Sequence, residues 1–567
     1  MNSRRGNFAD SVNLKPDGSW KAEFCRLSKI FVFFCILPFF IISCKKKSPV
    51  IHSVDPKIGR AGETLTITGE YFGKERDESY VTIAGALPTN SSYLYWQDDR
   101  ISLKLPESGE SGLIYVHVNG RKSNGALFSN QLTLPQPPRG EDTGPEPRIT
   151  SVEPRSAPIG SLISITGNNF GSSRGQNGVL FSWNAETRSP APGEAGEPAF
   201  IDVSEAVFGY ELWNDREIRL RIPDGAVSGN LKVRTARGDS RPVFFEIGGK
   251  PGTKTFRDKR SYTINYSVDV QINEAVKPNT LYLWIPLPAV SSSQRNVALL
   301  SRSVDPFIEN YRGASLYKLD DLESGSSLRI HFSWQVEVYA VETSVQPQSI
   351  RQDAASPAAV YTQSASLIPS DDPLIKSQVA TLLGRERNPY SKARRIYEWF
   401  IGAIQIQDSA ADDLPNDAVA ALEAKRADPY TAALLYCAML RSAGVPCLPV
   451  AGALINRSRQ TVRHYWAEFW IDGFGWIPVD PVLGAGAVPS AFAARPDHAS
   501  FYFGSMDNQR IAFSRGQTVL SQMDPRGRTV SHTRSYALQN LWEEAVGGID
   551  SYSSLWGDVA ITGMYVQ

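Results

Sequence analysis

His464 and Asp480 stand sixteen residues apart in a stretch that reads as two strands joined by a turn. A carboxylate beside an imidazole orients the ring and stabilises its charged form, which lets the ring take a proton from a nucleophile. The same pair can also do no more than satisfy itself and pin a hairpin. Acyl chemistry needs a nucleophile as well, and the chain has five cysteines, at positions 25, 35, 44, 437 and 447. Cys437 shares a helical stripe with Ala433, Leu440 and Gly444, the pattern of a core thiol. Cys447 follows Pro446 at a strand entrance and reads as structural; whether it is joined to Cys437 the sequence leaves open. Glu468, on the His464 face if strand alternation holds, is a further group able to line a cleft.

Several elements must position these groups. Ile396, Tyr397, Phe400 and Ile404 form one helical stripe, and a second helix from Tyr430 to Ala443 stops at Gly444, where glycine makes a left-handed cap easily. A strand from Leu448 and the hairpin carrying His464 and Asp480 follow, so helices are succeeded by antiparallel strands. Upstream, strict alternation over 262–270, 281–285 and 328–338 predicts half-buried antiparallel strands. Further upstream still, Ile51-His-Ser-Val-Asp-Pro-Lys57 recurs as Ile149-Thr-Ser-Val-Glu-Pro-Arg155, and Ile67-Thr-Gly69-Glu-Tyr-Phe72-Gly73 recurs as Ile165-Thr-Gly167-Asn-Asn-Phe170-Gly171, both at an offset of 98 residues. Alternating strands around these repeats are β-sandwich patterning, with Trp96 and Trp213 expected in the cores.

The repeated segments resemble the IPT/TIG immunoglobulin-like family. The resemblance implies sandwiches over 49–134 and 148–248, with a Pro/Gly/acidic linker over 135–147 and, in the second copy, an insertion around 183–211. The order Leu440-Arg441-Ser-Ala-Gly444, His464-Tyr-Trp466-Ala-Glu468 and Gly475-Trp476-Ile-Pro-Val-Asp480-Pro481 is similar to the transglutaminase-like superfamily. That resemblance implies a papain-like α+β core with a Cys-His-Asp triad, placed here over 370–567 and preceded by a β domain over 255–345. His464 and Asp480 match the family's histidine and aspartate. Its nucleophile stands twelve residues before the Leu-Arg-x-x-Gly arginine, and that position holds Pro429. Proline offers neither a nucleophile nor an N–H to an oxyanion, whereas Asp428-Pro429 makes a good helix start. Cys437, eight residues along the same helix, is displaced by about 12 Å and turned by about 80°. His464 and Asp480 are thus expected as the relict half of a triad, within hydrogen-bond reach on adjacent strands. A two-residue turn at Asp472-Gly473 with Gly475 bulged sets Asp480 opposite His464.

Lys+Arg and Asp+Glu number 59 each, so no net field steers the molecule towards nucleic acid. Arg26 and Lys29 precede an apolar run over 30–43 that suits a secretory signal, and Ile41-Ile42-Ser43-Cys44 resembles the bacterial lipobox. This implies a signal over 1–43, a diacylglyceryl group on Cys44 and a tether over 44–48; a short uncleaved anchor is the other reading. The expected protein is a multidomain lipoprotein of the bacterial cell envelope, held to the lipid bilayer through Cys44 outside the cytoplasm, with no cofactor or metal spacing in its sequence. Its expected role is non-catalytic binding of peptide or cell-envelope polymer. The alternatives are a hydrolase or acyltransferase using His464 and Asp480 with a different nucleophile, and an envelope assembly protein acting through its sandwiches.

Overall fold

The computed structural model describes residues 47–106, 112–130, 144–184, 199–203, 209–350, 356–407, 414–489, 492–524 and 526–566. The signal segment, Cys44 and most of the 135–147 linker lie outside the described residues.

The repeat in sequence is a repeat in register. Val50–Asp55 pairs with Thr64–Glu70 so that Ile51 faces Gly69 and Val54 faces Ile67, with a bulge after Ile51. Arg148–Glu153 pairs with Leu162–Asn168 in the same way, Ile149 facing Gly167 and Val152 facing Ile165, with the bulge at the same place. The shared glycine is sterically required: a Cβ on Gly69 would lie 2.0 Å from the Val50 carbonyl oxygen, and one on Gly167 2.1 Å from that of Arg148. Trp96 and Trp213 are core residues, and their indole N–H groups donate to the carbonyls of buried Phe72 (2.9 Å) and Phe170 (3.1 Å).

The β domain is built on two long antiparallel strands, β1 (Gly252–Pro286) and β2 (Ser327–Val345). The two alternating runs over 262–270 and 281–285 are parts of the single strand β1, which bends through bulges. In the core, helix α1 (Pro389–Ala403) packs with α2 (Pro429–Ser442), whose residues from Tyr430 to Leu440 are all buried. A helix apolar all round belongs at the centre of a core. Beside it runs a four-stranded antiparallel sheet of β3 (Cys447–Ile455), β4 (Thr461–Ile471), β5 (Gly475–Val479) and β6 (Arg510–Arg515), in the order β5-β4-β3-β6. Tyr465, Ala467, Phe469 and Ile471 pack with α2, while Trp466, Trp476, Leu448 and Val450 join the apolar cluster of the second sandwich. The last strands, β7 (Glu543–Trp556) and β8 (Ala560–Val566), pair with β1. Residues at the end of the expected 370–567 core therefore complete the sheet of the preceding domain, a long-range pairing that no local periodicity announces.

The second sandwich is docked on the rest of the molecule. Trp183, at the start of its insertion, packs against Phe256 and Tyr339 with ring centroids 5.2 and 5.0 Å away, and the Arg295 guanidinium lies 4.1 Å over its ring. Arg295 also donates to the Phe200 carbonyl. The β4–β5 turn reaches the sandwich directly: Ile159 bridges Gly473, and a Cβ on Gly160 would meet the Trp470 ring at 2.6 Å. Asp224 accepts from Lys254 and from the Ser292 hydroxyl (2.7 Å), and Lys254 donates to the Trp476 carbonyl at 2.6 Å.

Candidate functional site

Ile471 pairs with Gly475 and Ala467 with Val479, so the β4–β5 turn holds three residues, Asp472, Gly473 and Phe474. Positive φ at Gly473 (78°) and Gly475 (96°) permits it. Continuing that register sets Asp480 beside Trp466 and on the same face as His464, which it reaches diagonally. His464 Nε2 donates to Asp480 Oδ2 at 2.7 Å. Sequence reasoning brought the two residues together correctly but through a different register.

Asp480 is fully engaged. Its Oδ2 also accepts from Arg510 Nη1 at 3.0 Å, and its Oδ1 accepts from the main-chain N–H groups of Val482 (3.2 Å) and Leu483 (2.9 Å). Burial alone would raise its pKa, but the charge and hydrogen bond of His464, the Arg510 guanidinium and the Leu483 N–H together hold it below the usual aspartate value. Arg510 is fixed from the other side by Asp507 Oδ2 at 2.8 Å. Burial opposes ionisation of Asp507 too, yet the Arg510 charge brings its carboxyl down to about 2. His464 is 1% exposed and Asp480 0%, so the pair lies closed within the molecule. Glu468 does line a cavity with Trp466 and Trp476, but it is paired with Arg515 at 2.5 Å. Cys437 and Cys447 are both free and buried, with their sulfurs 3.3 Å apart. Burial raises the Cys447 thiol well above its ordinary range.

A second cavity opens at the N-terminus of α2. Asp428 caps the helix by accepting from Thr431 N at 2.7 Å, with Pro429 in the first turn. Arg534, arriving from 106 residues downstream, donates from Nε to Asp428 Oδ2 at 2.6 Å and lays its guanidinium 5.2 Å from the Tyr430 ring. The cavity is lined by Pro429, Arg463, Tyr465, Arg534, Tyr536 and Asp558, among others. Arg463 donates to Asp558 at 2.7 Å. Tyr465 meets Tyr430 edge to face at 5.2 Å, whereas the His464 ring stacks on Trp466, on the other side of β4. Thus His464 and Asp480 meet each other, and Pro429 meets Arg463, Tyr465 and Arg534. Sequence reasoning missed Arg510 and Arg534, whose partners are distant in the chain; an Asp-x-x-Arg spacing at Asp507 and Arg510 was the only local signal.

Comparison with known proteins agrees with this architecture. Residues 376–481 match the transglutaminase-like superfamily, and residues 49–134 and 147–185 match the IPT/TIG domain. A cyclomaltodextrin glucanotransferase of Paenibacillus macerans is 29% identical over 85 residues, 15% of this chain and 12% of that protein. An uncharacterized protein of Haemophilus influenzae is 25% identical over 135 residues, 19% of this chain and 36% of that protein. The chain therefore spans well under two thirds of either relative. Among solved structures, a candidate cysteine protease of Cytophaga hutchinsonii aligns at 14% identity and a TM-score of 0.34, covering 56% of this chain and 92% of that one. SGBP-B from a complex xyloglucan utilization locus in Bacteroides uniformis aligns at 11% identity and a TM-score of 0.14, covering 52% and 99%. The chain carries IPT/TIG domains and a transglutaminase-like domain, the latter on a mostly β multidomain frame.

Proposed function

We propose that this chain, with its IPT/TIG and transglutaminase-like domains, is a cell-envelope lipoprotein that binds peptide or envelope polymer in the cavity at the N-terminus of α2, without cysteine-dependent acyl transfer. The observation that carries the reading is the division of the family's site between two places. Pro429 stands at the position of the nucleophile, under the Asp428–Arg534 ion pair, in an accessible cavity. His464 and Asp480 are bonded to each other in the closed interior. What remains at the cavity is a set of fixed donors and acceptors, which suits binding.

Anchorage through Cys44 rests on Ile41-Ile42-Ser43-Cys44 and on the apolar run before it. Among the described residues no helix is long and apolar enough to cross a membrane. The alternative of a hydrolase draws on the 2.7 Å His464–Asp480 bond, the half of a triad that this chain keeps.

Retention of the full chain on purified sacculi tests the binding reading. Removing a charged hydrogen-bonding group is worth about 1.5–3 kcal/mol, so Arg534→Ala is expected to weaken retention by about tenfold or more. Equal retention of parent and variant would move binding away from this cavity.

A further inference from the structure

Cys437 and Cys447 take no part in either place described above. Neither lines the cavity at Pro429, and the His464 ring lies on the other side of β4 from α2. Both side chains are 0% exposed, and among the described residues each sulfur has only the other as hydrogen-bond partner, at 3.3 Å. Cys437 sits in the third turn of α2, and Cys447 opens β3 ten residues further on.

The chain between them is held independently of the sulfurs. It leaves the helix through Gly444 at a φ of 74°, and Val445 N donates to the Leu440 carbonyl at 2.9 Å. Arg441 Nε donates to the Cys447 carbonyl at 2.8 Å, and Cys447 is paired with Phe469 of β4. A fixed frame thus presents one thiol to the other. A disulfide sets its sulfurs about 2.05 Å apart, so closing this pair takes about 1.2 Å, shared between two side chains.

We propose that Cys437 and Cys447 are joined by a disulfide in the exported protein, tying α2 to β3. This rests on the envelope reading above, because disulfides persist outside the cytoplasm and are rare within it. The reaction is thiol–disulfide exchange with a protein disulfide as the oxidant. The thiolate of one cysteine attacks a sulfur of the oxidant and releases its first thiolate. The second cysteine then attacks the mixed disulfide, forming the Cys437–Cys447 bond and releasing the other thiolate. Two electrons and two protons pass from the pair to the oxidant, which leaves as a dithiol. The exchange belongs to folding, before the core closes: burial pushes the Cys447 thiol well above its ordinary range, and a protonated thiol in a closed core does not attack. The bond spans the contact between the helix that begins at Pro429 and the sheet that carries Arg463 and Tyr465, two walls of the cavity.

The test takes the full chain from the membrane fraction of its bacterial host and denatures it in guanidinium chloride with N-ethylmaleimide already present, so that a free thiol is trapped before it can oxidise. The expected result is no maleimide on Cys437 or Cys447, and one on each after reduction. Trypsin cuts between the two at Arg441, so without reductant peptides 427–441 and 442–457 should be found joined, lighter by two hydrogens than their sum. Cys437→Ala should leave Cys447 to take up maleimide without reductant. Labelling of both cysteines in the unreduced parent would overturn the bond and leave two small apolar core groups. Failure of Cys447 to label in Cys437→Ala would also overturn it, by showing that something other than Cys437 blocks that sulfur. Recovery of the chain only in the cytosol would remove the envelope reading, and the bond with it.

Discussion

Asp480 serves His464, Arg510 and two main-chain amides at once, so it behaves as a structural anchor whatever else it once did. Its pKa in the folded chain is lowered, and the stability it contributes is therefore present in full above the unfolded-state value of 3.8 and is lost as pH falls through the folded value. Replacing it by Asn leaves the Arg510 guanidinium, 3% exposed, with Asp507 as its remaining carboxylate. Breaking a buried pair in this way costs about 3–5 kcal/mol, so Asp480→Asn is expected to lower the denaturant midpoint of the core at about pH 7 by that equivalent. The gap between parent and variant should narrow as pH falls below the unfolded-state value of 3.8 and on through the lowered folded value. A constant gap across that range would mean that the cost is one of packing rather than charge. Arg510 lies thirty residues from Asp480 in sequence, and no period or spacing ties the two. The His464–Asp480 contact, by contrast, was legible, because a hairpin limits where sixteen residues can go.

At the scale of elements, α2 shows what a sequence can announce and what it cannot. Asp428-Pro429 read as a helix start, and Asp428 does cap the helix with Pro429 in its first turn. Where the helix start points was not legible. The residues of β4 beside it are Arg463 and Tyr465, whereas a reading by family spacing puts His464 there. Gly473 and Gly475 also turned an expected two-residue hairpin into a three-residue one, a choice made by backbone conformation and not by the residue types alone. A thiol introduced as Pro429→Cys should be activated by the helix N-terminus and by neighbouring guanidinium groups, both of which favour a thiolate. In a Cys437→Ala, Cys447→Ala background it is expected to alkylate at least about threefold faster than a cysteine placed on an exposed loop. Since the His464 ring is bonded to Asp480 on the other side of β4, adding His464→Ala should leave that rate within about twofold. A larger drop would show that His464 reaches Pro429 after all, and would restore the hydrolase reading.

Across the whole molecule, the sandwich repeat was legible to the residue, because the same glycine is demanded by the same close approach at Gly69 and Gly167. The docking of the second sandwich was not, since it depends on an insertion and on single contacts such as Lys254 with Asp224. Lys254 and Asp224 side chains are 9% and 10% exposed, so removing the acid leaves a nearly buried ammonium group with the Trp476 carbonyl but without its carboxylate. Asp224→Ala is expected to cost about 3 kcal/mol and to separate the sandwich's unfolding from that of the core in calorimetry. A single unshifted transition would show that the apolar contacts around Trp183 hold the two together by themselves. The binding cavity is tested most directly by hydrogen exchange on the full chain, with and without solubilised sacculus fragments. Slowed exchange concentrated at 428–432, 461–466 and 534–536 is the predicted result, and slowed exchange confined to the sandwiches over 49–248, or none at all, would contradict it.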